Sequence, residues 1–440
     1  MRESADTLIK NGIVVTVNPE FEIIENGEVA VRNGCIVYAG KPGGISEEHS
    51  GRVIDAAGGI VMPGLVNTHT HLPMSLFRGL ADDLPLEKWL AEHIFPAEAA
   101  HINPETVRTG TLLSCAEMLL SGTTTCCDGY FYEDSAAHAA AEAGIRAVMG
   151  QGIVDFPTPD SPDPSKNIDV AEKFARQWND RSRRIIPSIF CHSAYTCSAE
   201  TLKRAKKAAD EAGAIFQIHV SETRSEAEIS GLETGGSVVR YLADLGVLDE
   251  NTLASHCVWV NAVDISILHD NGVRVSHNPE SNMKLASGTA PAPALINAGI
   301  TLGLGTDGCA SNNNLDMFEA MDFAAKLHKA ELHDPTVMDA RTVVRMATIE
   351  GARALGMDRI TGSIEKGKAA DIVIINSRRP HLVPMYNPES HVVYSVRGAD
   401  VSHVMVEGEL LVSDGQLVRM DQEAVMTNAR QAAMQIRRTD

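Results

Sequence analysis

The stretch Val61-Met62-Pro63-Gly64-Leu65-Val66-Asn67-Thr68-His69-Thr70-His71 decides how this chain folds, because an apolar run leads straight into two histidines one residue apart. On an extended strand alternate side chains share a face, so His69 and His71 point the same way and offer two imidazoles to one metal ion. A bare His-x-His carries little by itself, since two histidines at a polar strand end are commonly chance neighbours. Further donors appear downstream: His219 and Glu222 in Gln217-Ile218-His219-Val220-Ser221-Glu222, His256 in Ala254-Ser255-His256-Cys257, and Asp307 in Gly303-Leu304-Gly305-Thr306-Asp307-Gly308. Each directly follows a short β-branched or apolar run. Four strand ends converging on nitrogen and oxygen donors describe a zinc-type site.

The 440 residues can bury a large core, and 44% hydrophobic with 22% charged residues describes an ordinary globular protein rather than a disordered one. A formal charge of -20 argues against polyanionic partners such as nucleic acid or an acidic membrane face. The short basic run Arg181-Ser182-Arg183-Arg184 reads as a solvated turn. Met1 to Asp6 lacks an apolar leader region, and no apolar segment is long enough to span a bilayer, so a cytoplasmic location is expected. Eight cysteines without a CxxC pair fit reduced thiols, with Cys126 and Cys127 as small core residues.

Both chain ends read as short strands and tight turns. Asn11-Gly12 and Asn33-Gly34 are hairpin signals near the start, and Ser413-Asp414-Gly415-Gln416 is a turn near the end. Neither block makes a comfortable sheet domain alone, so residues 1–60 and 359–440 are expected to pair into one small β-sandwich, with a C-terminal helix. Between them, over 61–358, apolar runs end near His71, Asp128, Asp155, His192, His219, His256, His277 and Asp307. They alternate with spacers of helical period, such as 199–211 and 238–245. Eight such units predict an α/β fold, a parallel (β/α)8 TIM barrel, whose active site lies at the C-terminal ends of the strands. The donors sit at the ends of runs one, five, six and eight, in agreement with that geometry. Helices over 315–331 and 338–355 are expected to pack outside the barrel.

These residues resemble the metal-dependent amidohydrolase superfamily and, within it, the methylthioadenosine/S-adenosylhomocysteine deaminases. The likeness covers nearly the whole chain. It rests on Pro63-Gly64-Leu65-Val66-Asn67-Thr68-His69-Thr70-His71, Arg78-Gly79-Leu80-Ala81-Asp82-Asp83-Leu84-Pro85-Leu86, His192-Ser193-Ala194-Tyr195-Thr196-Cys197-Ser198 and His219-Val220-Ser221-Glu222-Thr223. It rests also on Ser255-His256-Cys257-Val258-Trp259, Ser276-His277-Asn278-Pro279-Glu280-Ser281-Asn282 and Gly305-Thr306-Asp307-Gly308-Cys309-Ala310-Ser311-Asn312-Asn313-Asn314. The resemblance implies hydrolytic deamination of methylthioadenosine, S-adenosylhomocysteine or adenosine to the inosine-type product and ammonia. It implies one divalent metal per chain, zinc or else Fe2+, held by His69, His71, His219 and Asp307. Glu222 and His256 would surround the attacking water, and Trp89, Glu98 and His192 would line the nucleoside pocket. Run four ends in His192 and offers no carbamylated lysine, so a one-metal site is expected. The implied partner is a small nucleoside, with neither nucleic acid nor membrane, and a homo-oligomer is compatible with all of this.

In such a site the metal lowers the pKa of its water toward neutrality. Asp307 can ligate with one oxygen and accept the water's proton with the other, while Glu222 protonates the purine ring nitrogen and relays a proton to the leaving amine. Two roles stand open for His256, a hydrogen bond to the attacking oxygen or a place among the ligands. Plainer readings compete at the pocket: an exposed helix charge for Glu98, a core aromatic for Trp89 and a satisfied core histidine for His192. Two other functions compete with deamination of a nucleoside. One is displacement of an amino, chloro or thioether group from a triazine, guanine or cytosine ring, and the other is an inactive barrel serving as a binding protein.

At the 5′ end, family members that accept S-adenosylhomocysteine can place arginines after the third strand to meet its carboxylate. Gln151 stands where such an arginine would align, and Asp155, Asp160 and Asp163 follow. Adenosine or methylthioadenosine is therefore expected to be preferred, with Gln151→Arg shifting the ratio toward S-adenosylhomocysteine.

Overall fold

Strands form at the two chain ends because β-branched residues alternate with polar ones and the turns carry Asn-Gly or Asp-Gly. The computed structural model describes residues 4–230, 232 and 236–437. Met1, Arg2 and Glu3, part of the N-terminal stretch read above, lie outside the described residues. The first block contributes β1 (Ala5–Val15), β2 (Ile23–Arg32), β3 (Cys35–Gly40), β4 (Ser50–Asp55) and β5 (Ile60–Pro63). Asn33 and Gly34 turn β2 into β3 with φ of 51° and 78°, the left-handed pair of a two-residue hairpin. Asn11-Gly12 does not behave so. There β1 runs straight on, and its register against β2 shifts on both sides of Gly12, so the pair forms a β-bulge and not a hairpin.

The middle of the chain supplies β6 (Leu65–Thr70), β7 (Thr123–Tyr130), β8 (Arg146–Ile153), β9 (Ile185–Ser193), β10 (Phe216–Val220), β11 (Thr252–His256), β12 (Arg274–His277) and β13 (Leu302–Leu304). They neighbour one another in chain order from β6 to β13, the arrangement of a (β/α)8 barrel. Every residue of β6, β7 and β8 is buried, as parallel strands covered on both faces must be. The last block adds β14 (Ile372–Ile375), β15 (Val401–Val406), β16 (Glu409–Ser413) and β17 (Gln416–Leu417).

The terminal strands make one mixed sheet in the order β17-β16-β15-β14-β5-β1-β2-β3, with β4 on β1. β5 joins the two ends of the chain by pairing parallel with β1 and antiparallel with β14. One apolar core, including Ile9, Val31, Val61, Ile372, Ile374 and Met405, draws on both blocks. Burying each such side chain contributes roughly 1.5–3 kcal/mol, which neither block could collect alone.

Packing divides the chain differently from the boundaries expected at 60 and 358. One unit comprises residues 1–67, 116–125 and 316–421, the other 68–115, 126–315 and 422–440. The helices Met317–Leu332 and Ala340–Met346 pack on Pro388–Tyr394, which keeps them with the terminal sheet. The C-terminal helix Gln422–Ile436 instead packs on the turn Leu72–Phe77 that follows His71. Among the described residues no helix is long and apolar enough to cross a membrane.

The opening stretch thus passes from β5 into β6 at Gly64. There the Gly64 N–H donates to Asp371 O at 2.9 Å and the Leu65 N–H to Gly122 O at 3.0 Å. A Cβ on Gly64 would lie 2.1 Å from Thr124 Oγ1, a distance no side chain can hold. Since Thr124 is fully buried and cannot yield, Gly64→Ala is expected to cost about 1–3 kcal/mol of stability. A fall in the urea midpoint with an unchanged m-value would register it; an unchanged midpoint would show that the crossing tolerates a side chain.

Candidate active site

The site forms where β6, β10 and β11 end and where the chain leaves β13. Alternation along β6 aims His69 and His71 the same way. Asp307 lies beyond β13 with φ of 66°, and its N–H donates to the His69 carbonyl at 3.0 Å. That bond brings its carboxylate to the two histidines: Oδ1 is 3.4 Å from His69 Nε2 and 3.3 Å from His71 Nε2. From β10, His219 Nε2 comes within 3.2 Å of His69 Nε2.

These spacings fit one metal ion. His71 Nδ1–H donates to Gly129 O at 2.7 Å and His219 Nδ1–H to His192 O at 2.8 Å, so both Nε2 lone pairs face the cluster. Ligands about 2.0–2.1 Å from a tetrahedral zinc stand about 3.3 Å apart, which matches the separations here. Burial, together with the surrounding imidazoles, holds His219 well below its ordinary pKa; burial brings His69 down to about 4, so both are neutral and ready to ligate. Burial alone would raise Asp307, but the hydrogen bond from His69 and the positive charge of His69, His256 and His71 in their protonated forms pull it well below the usual carboxylate range.

Asp307 has two differently placed oxygens. Its Oδ2 accepts the hydroxyls of Ser281 at 2.6 Å and Ser311 at 3.0 Å and lies 4.0 Å from His256 Nε2. His256 donates Nδ1–H to Asn282 Oδ1 at 2.9 Å, which turns its Nε2 toward Glu222 Oε2 at 3.8 Å. Glu222 is buried, and burial, reinforced by Asp307, pushes its carboxyl up.

Behind these groups lies a cleft lined mostly by apolar and aromatic side chains, with a few polar groups converging on it. His192 lines it; burial, then the nearby His71 and His69, hold its imidazole at about 3, so it is neutral. Trp89 also lines it, with its indole N–H donating to Ala81 O at 3.0 Å, and is nearly fully buried there. Glu98 is no exposed helix charge: it is buried in the wall and accepts the Tyr130 hydroxyl at 2.5 Å. Burial raises its carboxyl to about 7, although the Tyr130 hydrogen bond opposes this.

Gln151 is not in the cleft. Its amide donates to Asp160 Oδ2 at 2.7 Å and accepts the Glu133 N–H at 3.2 Å, although its neighbours Gly152 and Ile153 do line the pocket. Nor do the three aspartates face the ligand space. Asp155 accepts the Ser198 N–H and the Thr201 hydroxyl, Asp160 the Tyr132 N–H, and Asp163 the Ser165 N–H. None of the three is among the residues lining the cleft, so repulsion of a bound carboxylate, expected only if they face the pocket, is not supported by their placement. Sequence reasoning missed Tyr130, Ser281, Asn282 and Ser311. Their one signal was position, since Ser281 and Asn282 end a quoted motif and Ser311 follows Asp307 by one helical turn.

The model of the amidohydrolase family matches residues 60–411. The chain is 44% identical to 5-methylthioadenosine/S-adenosylhomocysteine deaminase 1 of Syntrophus aciditrophicus, over 99% of this chain and 98% of that one. It is 46% identical to the 5′-deoxyadenosine deaminase of Methanothermobacter thermautotrophicus, over 94% of this chain and 95% of the relative. The solved structure of an adenosine deaminase from Xanthomonas campestris with bound zinc superposes with a TM-score of 0.96 at 39% identity, covering 99% of this chain and all of that one.

Plasma emission spectrometry is expected to find about one divalent transition metal per chain, lost from His219→Ala and depleted in Asp307→Asn. Glu222→Gln should keep the metal yet lose about 10² to 10⁴-fold in kcat. Metal-free active protein, or a Glu222→Gln variant stripped of metal, would contradict the arrangement.

Proposed function

Because the chain belongs to the amidohydrolase family, we propose that it hydrolyses the exocyclic amino group of an adenine nucleoside, releasing ammonia and leaving the inosine-type product. The observation that carries this reading is the set of imidazoles and Asp307 spaced 3.2–3.4 Å apart, opposite a buried Glu222 that is not part of that set. His69, His71, His219 and Asp307 would hold one ion, zinc or else Fe2+. Bound there, it supplies Lewis acidity that lowers the pKa of the attacking water.

The chain's own residues do the rest. Glu222 donates a proton to the purine ring nitrogen as the water oxygen bonds to the ring carbon, then carries a proton to the departing amine. His256 Nε2 orients the attacking oxygen, and its Nδ1–H bond to Asn282 fixes the ring for that task. Asp307 faces the ligand histidines with Oδ1 and keeps Oδ2 for the water's proton, steadied by Ser281 and Ser311. His192, Trp89 and Glu98 hold the nucleoside, with Glu98 accepting from a ribose hydroxyl. All eight cysteines are free, in keeping with a reducing cytoplasm.

Leu86, Leu90, Ile94, Phe95 and Phe156 line the cleft and would meet the 5′ group of a nucleoside held by Trp89 and Glu98, and among the described lining residues there is no lysine or arginine. An uncharged 5′ group suits that wall, whereas a carboxylate would lose water without gaining a partner.

Ammonia release across adenosine, methylthioadenosine, 5′-deoxyadenosine, S-adenosylhomocysteine, guanine, cytosine and a triazine tests the reading, and silence from every nucleoside would end it. Within the panel, kcat/KM for the uncharged nucleosides should exceed that for S-adenosylhomocysteine by about tenfold or more. Gln151→Leu should leave this ratio unmoved, because Gln151 lies outside the cleft. Equal constants, or a ratio that follows Gln151, would refute the assignment.

A pH series tests Glu98. Its carboxyl, raised to about 7 by burial, is protonated below that pH and accepts poorly. KM for a nucleoside should therefore fall as pH rises through about 7. In Glu98→Gln that dependence should flatten, and a KM profile identical in both proteins would remove Glu98 from the ribose.

A further inference from the structure

We infer that Glu226 is a positioning residue for Glu222, its buried carboxylate holding the backbone turn that aims Glu222 into the cleft. His219 and Glu222 are three residues apart, and on a continuous strand they would point to opposite faces. Both nevertheless face the site, because β10 stops at Val220 and Ser221 takes a left-handed φ of 50°. A serine reaches that region only at a cost, and a turn there leaves its backbone N–H groups without ladder partners.

The structure answers both needs from outside the turn. On the carbonyl side, Ser221 O accepts the N–H groups of Val258 at 3.0 Å and Trp259 at 2.9 Å, in the segment that follows His256. On the amide side, Glu226 Oε2 accepts the Glu222 N–H at 2.7 Å, and the Ser221 N–H also donates to its carboxylate. Glu226 is 1% exposed, and among the described residues no ion pair is formed by its carboxylate, a rare setting for a carboxylate unless those amides need it. It is not among the residues lining the cleft, and besides the turn its charge reaches His256, an effect that the glutamine variant below removes while keeping the acceptor.

The consequence for rate rests on the reading of Glu222 as the proton donor. The test compares Glu226→Leu, Glu226→Gln, Glu222→Gln and the double variant Glu222→Gln/Glu226→Leu, each with metal content checked. Glu226→Leu should lower kcat about ten- to a hundredfold with KM within about threefold. Glu226→Gln, which retains a carbonyl acceptor for the Glu222 N–H, should recover most of that loss. In the Glu222→Gln background Glu226→Leu should add little, because the group it positions is already disabled. Equal losses in both backgrounds would overturn the inference.

Amide hydrogen exchange at Ser221 and Glu222 reads the same contact without any substrate. It should be slow in wild type and Glu226→Gln, and fast in Glu226→Leu. Slow exchange in Glu226→Leu would overturn the inference, as would fast exchange in Glu226→Gln should the leucine variant not fold. A wild type that deaminates no nucleoside but shows this exchange pattern would sink the proposed reaction and leave the positioning contact standing.

Discussion

The amide of Asp307 donates to the carbonyl of His69 at 3.0 Å, and this contact links the two ends of the ladder that runs from β6 to β13. Chain closure and site assembly are thereby the same event. The bond that ties the end of the eighth strand to the first also sets the Asp307 carboxylate 3.3–3.4 Å from two imidazoles. Burial and the neighbouring imidazoles make His69 and His219 unfavourable to protonate, whereas Asp307 keeps its charge because the hydrogen bond from His69 and the attraction of the surrounding histidines in their protonated forms outweigh its burial. A cluster with one negative charge and several lone pairs aimed inward favours a cation among them. That is why the amidohydrolase family's dependence on metal can be read in the polarity of these side chains.

Much of this was legible in the sequence because period and position carry it. Apolar runs ending in His69, His71, His219, His256 and Asp307 marked strand ends, and eight such runs marked the barrel. What failed was local. Asn11-Gly12 has the composition of a hairpin turn but sits inside β1 as a bulge, since the same left-handed residue serves both and only the partner strand distinguishes them. The helix Met317–Leu332, expected outside the barrel on the way back to the terminal sheet, packs with Pro388–Tyr394, a partner some sixty residues on that no periodicity names.

The pocket wall was less legible than the grouping of histidines with Asp307, and for a physical reason. A ligand set is fixed by residue type, because few side chains can bind a metal, but a pocket wall is fixed by orientation. Gln151 and Gly152 are neighbours on β8, and the pleat sends only the second to the cleft. The acidic loop that follows looked like an electrostatic barrier. Its carboxylates instead serve backbone amides at Tyr132, Ser165 and Ser198, contacts that only the folded loop creates. The cleft wall is supplied instead by the apolar residues Leu86, Leu90, Ile94 and Phe95 and by Phe156, whose hydrophobicity alone would have suggested core.

A common device lies under both the successes and the failures. Ser221, His256, Cys257 and Asp307 all take left-handed backbone angles, and all lie where β10, β11 and β13 give way to loops. None is glycine, so each costs stability that the surrounding contacts must offset. Leaving the pleat at that point is what allows neighbouring residues to converge on one volume, which a regular strand forbids beyond every second position. The offsetting contacts are therefore as much a part of the site as the groups they aim: Glu226 and the amides of Val258 and Trp259 at Ser221, Asn282 at His256, and Ser281, Ser311 and the Gly308 N–H at Asp307. Strain at the strand ends and a buried polar shell that answers it together make a barrel that presents carboxylates and imidazoles to a single point.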